Sequence, residues 1–242
     1  MKTFAAIWTI SLVWAFGASA AECRDEVFED TPFTVCTADP ATEDIRLFLS
    51  DDAGEPLGTF DNLSDAVRAN GQSLVFAMNA GMYHPDRSPV GLYVENGEQR
   101  APIVTRDGPG NFALLPNGVL CLADGDAAII ESRAFARQGK TCEFATQSGP
   151  MLVIDGDLHP KFLRNSDSRF RRNGAGVGQD GTLFTVISDR PVNFHRFARF
   201  FRDVLKTPNA LFFDGKVSRL YAPALDRHDF GFPMGPMIGV VE

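Results

Sequence analysis

Apolar positions along this chain fall into short runs separated by small, polar or turn-forming residues. Leu74 to Met78 is a continuous apolar run that suits a strand covered on both faces, and it stops at Asn79, whose amide carries two donors and an acceptor. Ala80 and Gly81 follow, almost free of side chain, and an irregular loop from Met82 to Pro89 leads to a second expected strand, Val90 to Glu95. Other expected strands are Phe33 to Thr37, Ile45 to Leu49, Phe112 to Leu115, Val119 to Leu122, Met151 to Ile154, Leu183 to Ile187 and Ala210 to Phe213. Asn-Gly or Asp-Gly pairs at 96–97, 117–118, 124–125, 155–156 and 180–181 mark hairpin turns. Helical spacing is confined to two places. Asn62 to Ala69, capped by Asn62 or Ser64, puts Leu63, Ala66 and Val67 on one face. After Asn193, the residues Phe194, Phe197, Ala198, Phe201, Val204 and Leu205 recur at three and four, with Arg196, Arg199 and Arg202 opposite, until Pro208 forbids continuation. The pattern predicts an α+β protein: a mixed, mostly antiparallel twisted sheet with hairpins, packed against a few helices, in a single domain over residues 21–242.

The amino terminus changes the compartment. Met1-Lys2, an apolar segment from Phe4 to Phe16 and Ala18-Ser19-Ala20 have the layout of a secretory signal, residues 1–20, cleaved after Ala20. The apolar segment is shorter than the roughly 18 to 20 residues a membrane span needs, so a periplasmic or secreted protein without a membrane span is expected. The formal charge is −8, and losing Lys2 leaves 22 basic against 31 acidic side chains, or −9. Such a surface repels nucleic acid. Four cysteines, Cys23, Cys36, Cys121 and Cys142, form an even set that favours disulfides in an exported chain. Of the three possible pairings, Cys23 with Cys36 and Cys121 with Cys142 is preferred, because each closes a short loop between neighbouring strands. Zinc is disfavoured, since no pair has C-x-x-C spacing.

The chain has no G-x-S-x-G elbow, S-x-x-K pair, H-E-x-x-H or Walker loop. Four constellations remain, each at the end of an apolar run: Asn79-Ala80-Gly81, Gln147-Ser148-Gly149-Pro150, Arg169 to Gly178, and Asp214 to Ser218. In the third, glycines 174, 176 and 178 follow Arg171 and Arg172, so that backbone amides stand beside guanidinium groups and suit an anion such as phosphate. His84, Asp189 and His195 are secondary candidates. A surface histidine, a turn aspartate and a polar helix face are their ordinary alternatives.

The order of these constellations resembles the phosphodiester glycosidase domain family, whose lysosomal member removes N-acetylglucosamine from a phosphodiester. The matching residues are Asn79-Ala80-Gly81-Met82-Tyr83, Ser148-Gly149-Pro150, Arg172 with Gly176 and Asp180-Gly181, and Asp214-Gly215 with Ser218. Two positions depart: Lys216 and Val217 stand where the family usually has glycines, and Asn173 follows Arg172 in place of Ser or Thr. The resemblance implies an exported hydrolase that cleaves a sugar 1-phosphodiester or related glycosidic linkage. It implies Arg172 on the phosphate, Asp214 as base or stabiliser of the oxocarbenium-like transition state, and Asn79 orienting a sugar hydroxyl or acetamido group. Gly81, Tyr83, His84, Ser148, Gly149, Asn173, Gly176, Asp189, His195, Gly215 and Ser218 complete the expected binding set. The expected partner is a small carbohydrate or phosphoglycan, with no cofactor called for and assistance by a divalent ion left open. The alternative is a non-catalytic periplasmic module that binds cell-wall glycan or phosphoglycan through the same cleft.

Overall fold

The protein, a computed structural model, is described over residues 21–242, so the expected signal segment 1–20 lies outside the described residues. Its strands form three sheets in which every pairing is antiparallel. The seven-stranded sheet runs Glu22–Phe28, Thr31–Ala38, Leu183–Ser188, Asn173–Val177, Asn209–Asp214, Met151–Ile154, Asp157–Leu158. A five-stranded sheet runs Arg227–His228, Leu220–Ala222, Leu74–Asn79, Met237–Val241, Asp44–Phe48, and a second runs Glu98–Ala101, Tyr93–Glu95, Phe144–Ser148, Gly118–Ala123, Asp126–Glu131.

One core joins all three sheets, which is why the chain is a single α+β domain. Phe76 and Met78 meet Leu120 and Phe144 and, from the large sheet, Leu211 and Phe213. The alternate residues of that last strand, Ala210 and Phe212, enter a second cluster with Phe33, Phe197, Phe200 and Phe201. Strand Asn209–Asp214 is thus buried on both faces, and a side-chain period of two turns its continuous apolar run into contributions to two cores.

Turn chemistry places the hairpins at 96–97, 124–125, 155–156 and 180–181, with Asn96, Asp124 and Asp155 at positive φ. The pair at 117–118 makes no hairpin. The Asn117 Nδ2 amide donates to Phe112 O at 3.0 Å, and Gly118 opens a strand. Phe112 to Leu115 is a turn rather than a strand, its apolar character serving to bury Phe112. The first helix is Phe60–Ala69, and its cap is Thr59, whose Oγ1 accepts from the Asn62 N–H, instead of Asn62 or Ser64. A helix not expected from the pattern, Ser132–Gln138, is capped by the Glu131 carboxylate and stopped by Gly139 in the left-handed region. Helix Phe194–Arg199 begins at the Asn193 cap as expected and widens into a π turn at Phe200–Val204. Strand Met237–Val241, also absent from the expected set, lies between Leu74–Asn79 and Asp44–Phe48 in its sheet. Both expected disulfides are present, Cys23–Cys36 directly opposite each other across a strand pair and Cys121–Cys142 with Cα atoms 5.6 Å apart.

Candidate active site

Three strand ends meet at one point. Asn79 ends Leu74–Asn79, Asn173 begins Asn173–Val177, and Asp214 ends Asn209–Asp214, with Asn173 and Asp214 paired in register. The Asn79 and Asn173 side chains join the two sheets: Asn79 Nδ2 donates to Asn173 Oδ1 at 3.2 Å, and Asn173 Nδ2 donates to Asn79 Oδ1 at 3.1 Å and to Asn79 O at 2.7 Å. Asn79 Oδ1 also accepts from the Arg219 N–H at 2.9 Å. Ser218 Oγ lies within hydrogen-bond reach of Asp214 O, Arg171 O and Asn173 Oδ1. Asn79 and Asn173 are both fully buried, so these amides position the strand ends and are closed to a ligand. The expected contact of Asn79 with a sugar is therefore replaced by a contact between sheets.

Arg172 immediately precedes this junction and is 1% exposed. Its Nε donates to Val192 O at 2.9 Å and its Nη2 to Ser168 O at 3.0 Å, while the guanidinium carbon stands 3.7 Å from the Phe194 ring centroid. Phe212 and Phe170 lie 5.3 and 5.4 Å away, so aromatic faces surround the cation. Among the described residues four buried side-chain polar atoms have no partner, and Arg172 Nη1 alone among them carries charge. An orphaned buried donor of this kind is costly unless something binds it. Burial pushes the Arg172 pKa down to about 10, against the opposing pull of Asp214, so the side chain is still a cation at neutral pH.

The guanidinium and the half-buried Asp214 line one cleft of about 540 Å³, together with Tyr83, Phe170, Gly215 and Lys216. The loop after Asp214 grips its Oδ1: the Val217 N–H donates at 2.8 Å and the Lys216 N–H also donates to it. Oδ2 has no protein donor among the described residues and is available to a ligand. A Cβ added at Gly215 would stand 3.4 Å from Arg172 Nη1 and 3.3 Å from the Phe212 ring, so glycine keeps the approach to that nitrogen open. Tyr83, half-buried with its hydroxyl donating to Pro233 O at 3.3 Å, has its pKa raised by burial and by the Asp214 charge, and is therefore a neutral phenol at neutral pH.

The remaining expected residues divide into supports and outliers. Gly81 adopts φ +145 with the Thr146 hydroxyl 2.9 Å from where a Cβ would be, and Thr146 Oγ1 donates to Ala80 O at 2.7 Å. Ser148 is buried and donates to Phe213 O at 3.2 Å, while Gly149 has Asn117 Cβ and Phe112 O each 2.6 Å from its missing Cβ. Gly176 faces Phe201 and Thr207. These four shape the sheets beneath the cleft and do not line it. His84 is exposed on the 82–89 loop, away from the cleft wall. Asp189 is bound to Arg227 at 2.8 Å and to Arg171 at 3.6 Å, and His195 lines a different pocket. Sequence reading missed Met82, Val90, Gly110, Asn111 and Phe170 in the cleft wall. Phe170 lay within the noted arginine-rich run, but the loop bearing Gly110 and Asn111 carried no chemical signal. Among the described residues no three His, Cys, Asp or Glu side chains gather as a metal cluster.

The chain is 33% identical over 214 residues to the uncharacterised protein YigE of Escherichia coli, covering 88% of this chain and 82% of that one. In fold it is similar to the zebrafish N-acetylglucosamine-1-phosphodiester alpha-N-acetylglucosaminidase catalytic domain, auto-inhibited by its pro-peptide, with TM-score 0.62, 11% identity, and coverage of 91% and 82% of the two chains. A hypothetical protein of Synechocystis matches with TM-score 0.58 and 14% identity, over 93% of this chain and 64% of that one, so this chain spans under two thirds of its length. At such identities these two likenesses speak for the fold alone. The family model for phosphodiester glycosidase matches residues 72–240, from the strand that delivers Asn79 to its neighbour Met237–Val241. The chain belongs to the phosphodiester glycosidase family.

Proposed function

We propose that the protein is an exported hydrolase that cleaves a sugar 1-phosphodiester, with Arg172 on the phosphate and Asp214 at the anomeric carbon. One observation carries this reading: a charged donor without a protein partner and a single carboxylate with a free oxygen share one cleft. An ordinary glycoside requires a second carboxyl group to protonate its leaving oxygen. A phosphodiester expels a phosphomonoester whose second pKa is about 6, so it leaves without that acid. A single carboxylate beside an unpartnered guanidinium suits the second substrate class.

Water then attacks the anomeric carbon, Asp214 Oδ2 takes its proton, and the bond from that carbon to the phosphate oxygen breaks with its electron pair going to the phosphate. Arg172 Nη1 receives the charge through a charge-assisted hydrogen bond. Tyr83 contributes a neutral phenol beside the sugar, and Asn79 holds the strand ends in place. Export through residues 1–20 is part of the same proposal and fits the two disulfides. Assays of sugar 1-phosphodiesters and aryl glycosides, with and without chelator, test it. Release of free sugar from the diesters supports the reading; tight binding of phosphoglycan with no turnover would establish a binding module instead. Lys216 in the cleft wall, where the family usually has a small residue, is the feature that favours this second reading.

A further inference from the structure

Beyond Val192 from the cleft lies a smaller pocket of about 220 Å³ whose walls include Glu29, Arg164, Arg169, His195, Arg196 and Arg199. Four guanidinium groups face one carboxylate there, in a protein whose formal charge is −8. Glu29 is already engaged by Arg196 at 3.4 Å and by Arg199, which also pairs with Asp203 at 2.9 Å. Arg164 and Arg169 have no acidic side chain within ion-pair distance among the described residues. The arginines come from two separate segments that enclose a concavity, unlike the open face that helical spacing alone predicts for Arg196 and Arg199. Burial, followed by the charges of Arg199, Arg164 and Arg202, pushes the His195 pKa down, as expected in a positive potential.

The two cavities also share a wall. Asn193 Nδ2 donates to Arg164 O at 3.0 Å and to Ser166 O at 3.3 Å, which fixes the loop whose Ser168 carbonyl holds Arg172 Nη2 at 3.0 Å. Val192 closes one side of the small pocket and accepts from Arg172 Nε on the other.

We propose that this pocket is a second oxyanion site that takes a phosphate or sulfate group between the unpaired Arg164 and Arg169 and the helix arginines. Guanidinium forks match such anions with paired charge-assisted hydrogen bonds. The group comes either from a second charged position on the ligand in the cleft or from a free anion. The first source rests on the phosphodiester reading and the second does not.

Orthophosphate titrated into the protein at low ionic strength, followed by amide NMR, tests the site without any turnover. Resonances of residues 193–199 are expected to shift, with affinity at least tenfold weaker in the R164A/R169A double variant. Both substituted arginines are exposed, so the fold is retained, and circular dichroism checks it. No shift in these resonances, or the same shift in the double variant, overturns the proposal. A glycan carrying two phosphates, compared with one carrying a single phosphate, identifies the source. A wild-type preference for the former that vanishes in the double variant assigns the second group to the ligand; equal binding of the two, with orthophosphate still held, assigns a free anion.

Discussion

Asn79 and Asn173 lie 94 positions apart, yet each side-chain amide donates to the other, and neither is exposed to solvent. This pair fastens the five-stranded sheet of Leu74–Asn79 to the seven-stranded sheet that carries Arg172 and Asp214. Replacing Asn79 by alanine removes both side-chain bonds to the Asn173 amide, which keeps its bond to the backbone carbonyl of residue 79, and leaves the buried Arg219 N–H without its acceptor, at about 1–3 kcal/mol for that unpaired group. Thermal unfolding should fall by several degrees, since about 1 kcal/mol shifts Tm by roughly 2–4 °C in a domain of this size. With kcat lowered and KM little changed, Asn79 is a positioning residue; a KM effect alone would return it to the ligand.

Arg172→Lys keeps the charge and removes the fork. The ammonium cannot hold Val192 O, Ser168 O and a phosphate at once. Affinity for a sugar phosphodiester should fall by about 1.5–3 kcal/mol, roughly ten- to a hundredfold, with turnover falling alongside, because the phosphate is charged in both ground and transition states. Unaltered affinity by calorimetry would place the phosphate elsewhere.

A column of stacked groups connects Arg172 to His159. Phe194 lies under the guanidinium, Phe162 stacks on Phe194 at 4.9 Å, and His159 stacks on Phe162 at 4.7 Å. The Lys161 N–H donates to His159 Nδ1, and Nε2 faces Leu115 O, an arrangement that suits the neutral ring with its proton on Nε2. Burial, chiefly, pushes the His159 pKa below its ordinary 6.5. A depressed histidine binds its proton more readily in the unfolded chain, so its stabilising contribution is complete above about pH 6.5 and is lost as pH falls towards the folded value. The Tm of the wild type should therefore drop more steeply between pH 7 and 5 than that of His159→Gln; parallel curves contradict this.

Disulfide Cys121–Cys142 ties strand Gly118–Ala123 to the segment entering Phe144–Ser148. Replacing both cysteines by alanine should cost about 2–5 kcal/mol, as for native bridges in exported domains, and denaturant unfolding measures it.

The fold class was legible because turn pairs and short apolar runs are local signals. Asp124-Gly125 and Asp155-Gly156 name their hairpins outright. The division into three sheets was not legible, since nothing local in Leu74 to Asn79 says that its neighbours are Leu220–Ala222 and Met237–Val241. Motif order singled out Arg172 and Asp214, whereas the surroundings of Arg172 depend on Phe194 and Phe212, which read as ordinary core. Polar residues misled in the opposite sense. Asn79 and Ser148 look chemical in the sequence but are satisfied inside, and only tertiary hydrogen bonds reveal it.

The central claim is that the Asp214 carboxylate acts on the sugar carbon while its neighbour Arg172 holds the phosphate. Asp214→Asn keeps an oxygen to accept from Lys216 and Val217 but cannot take a proton or face developing positive charge. Turnover of a sugar 1-phosphodiester by this variant, measured beside its affinity for the same compound, should fall about 10²- to 10⁴-fold with affinity nearly intact. A fall of less than about tenfold, the low side of that range, would show that another group performs the chemistry.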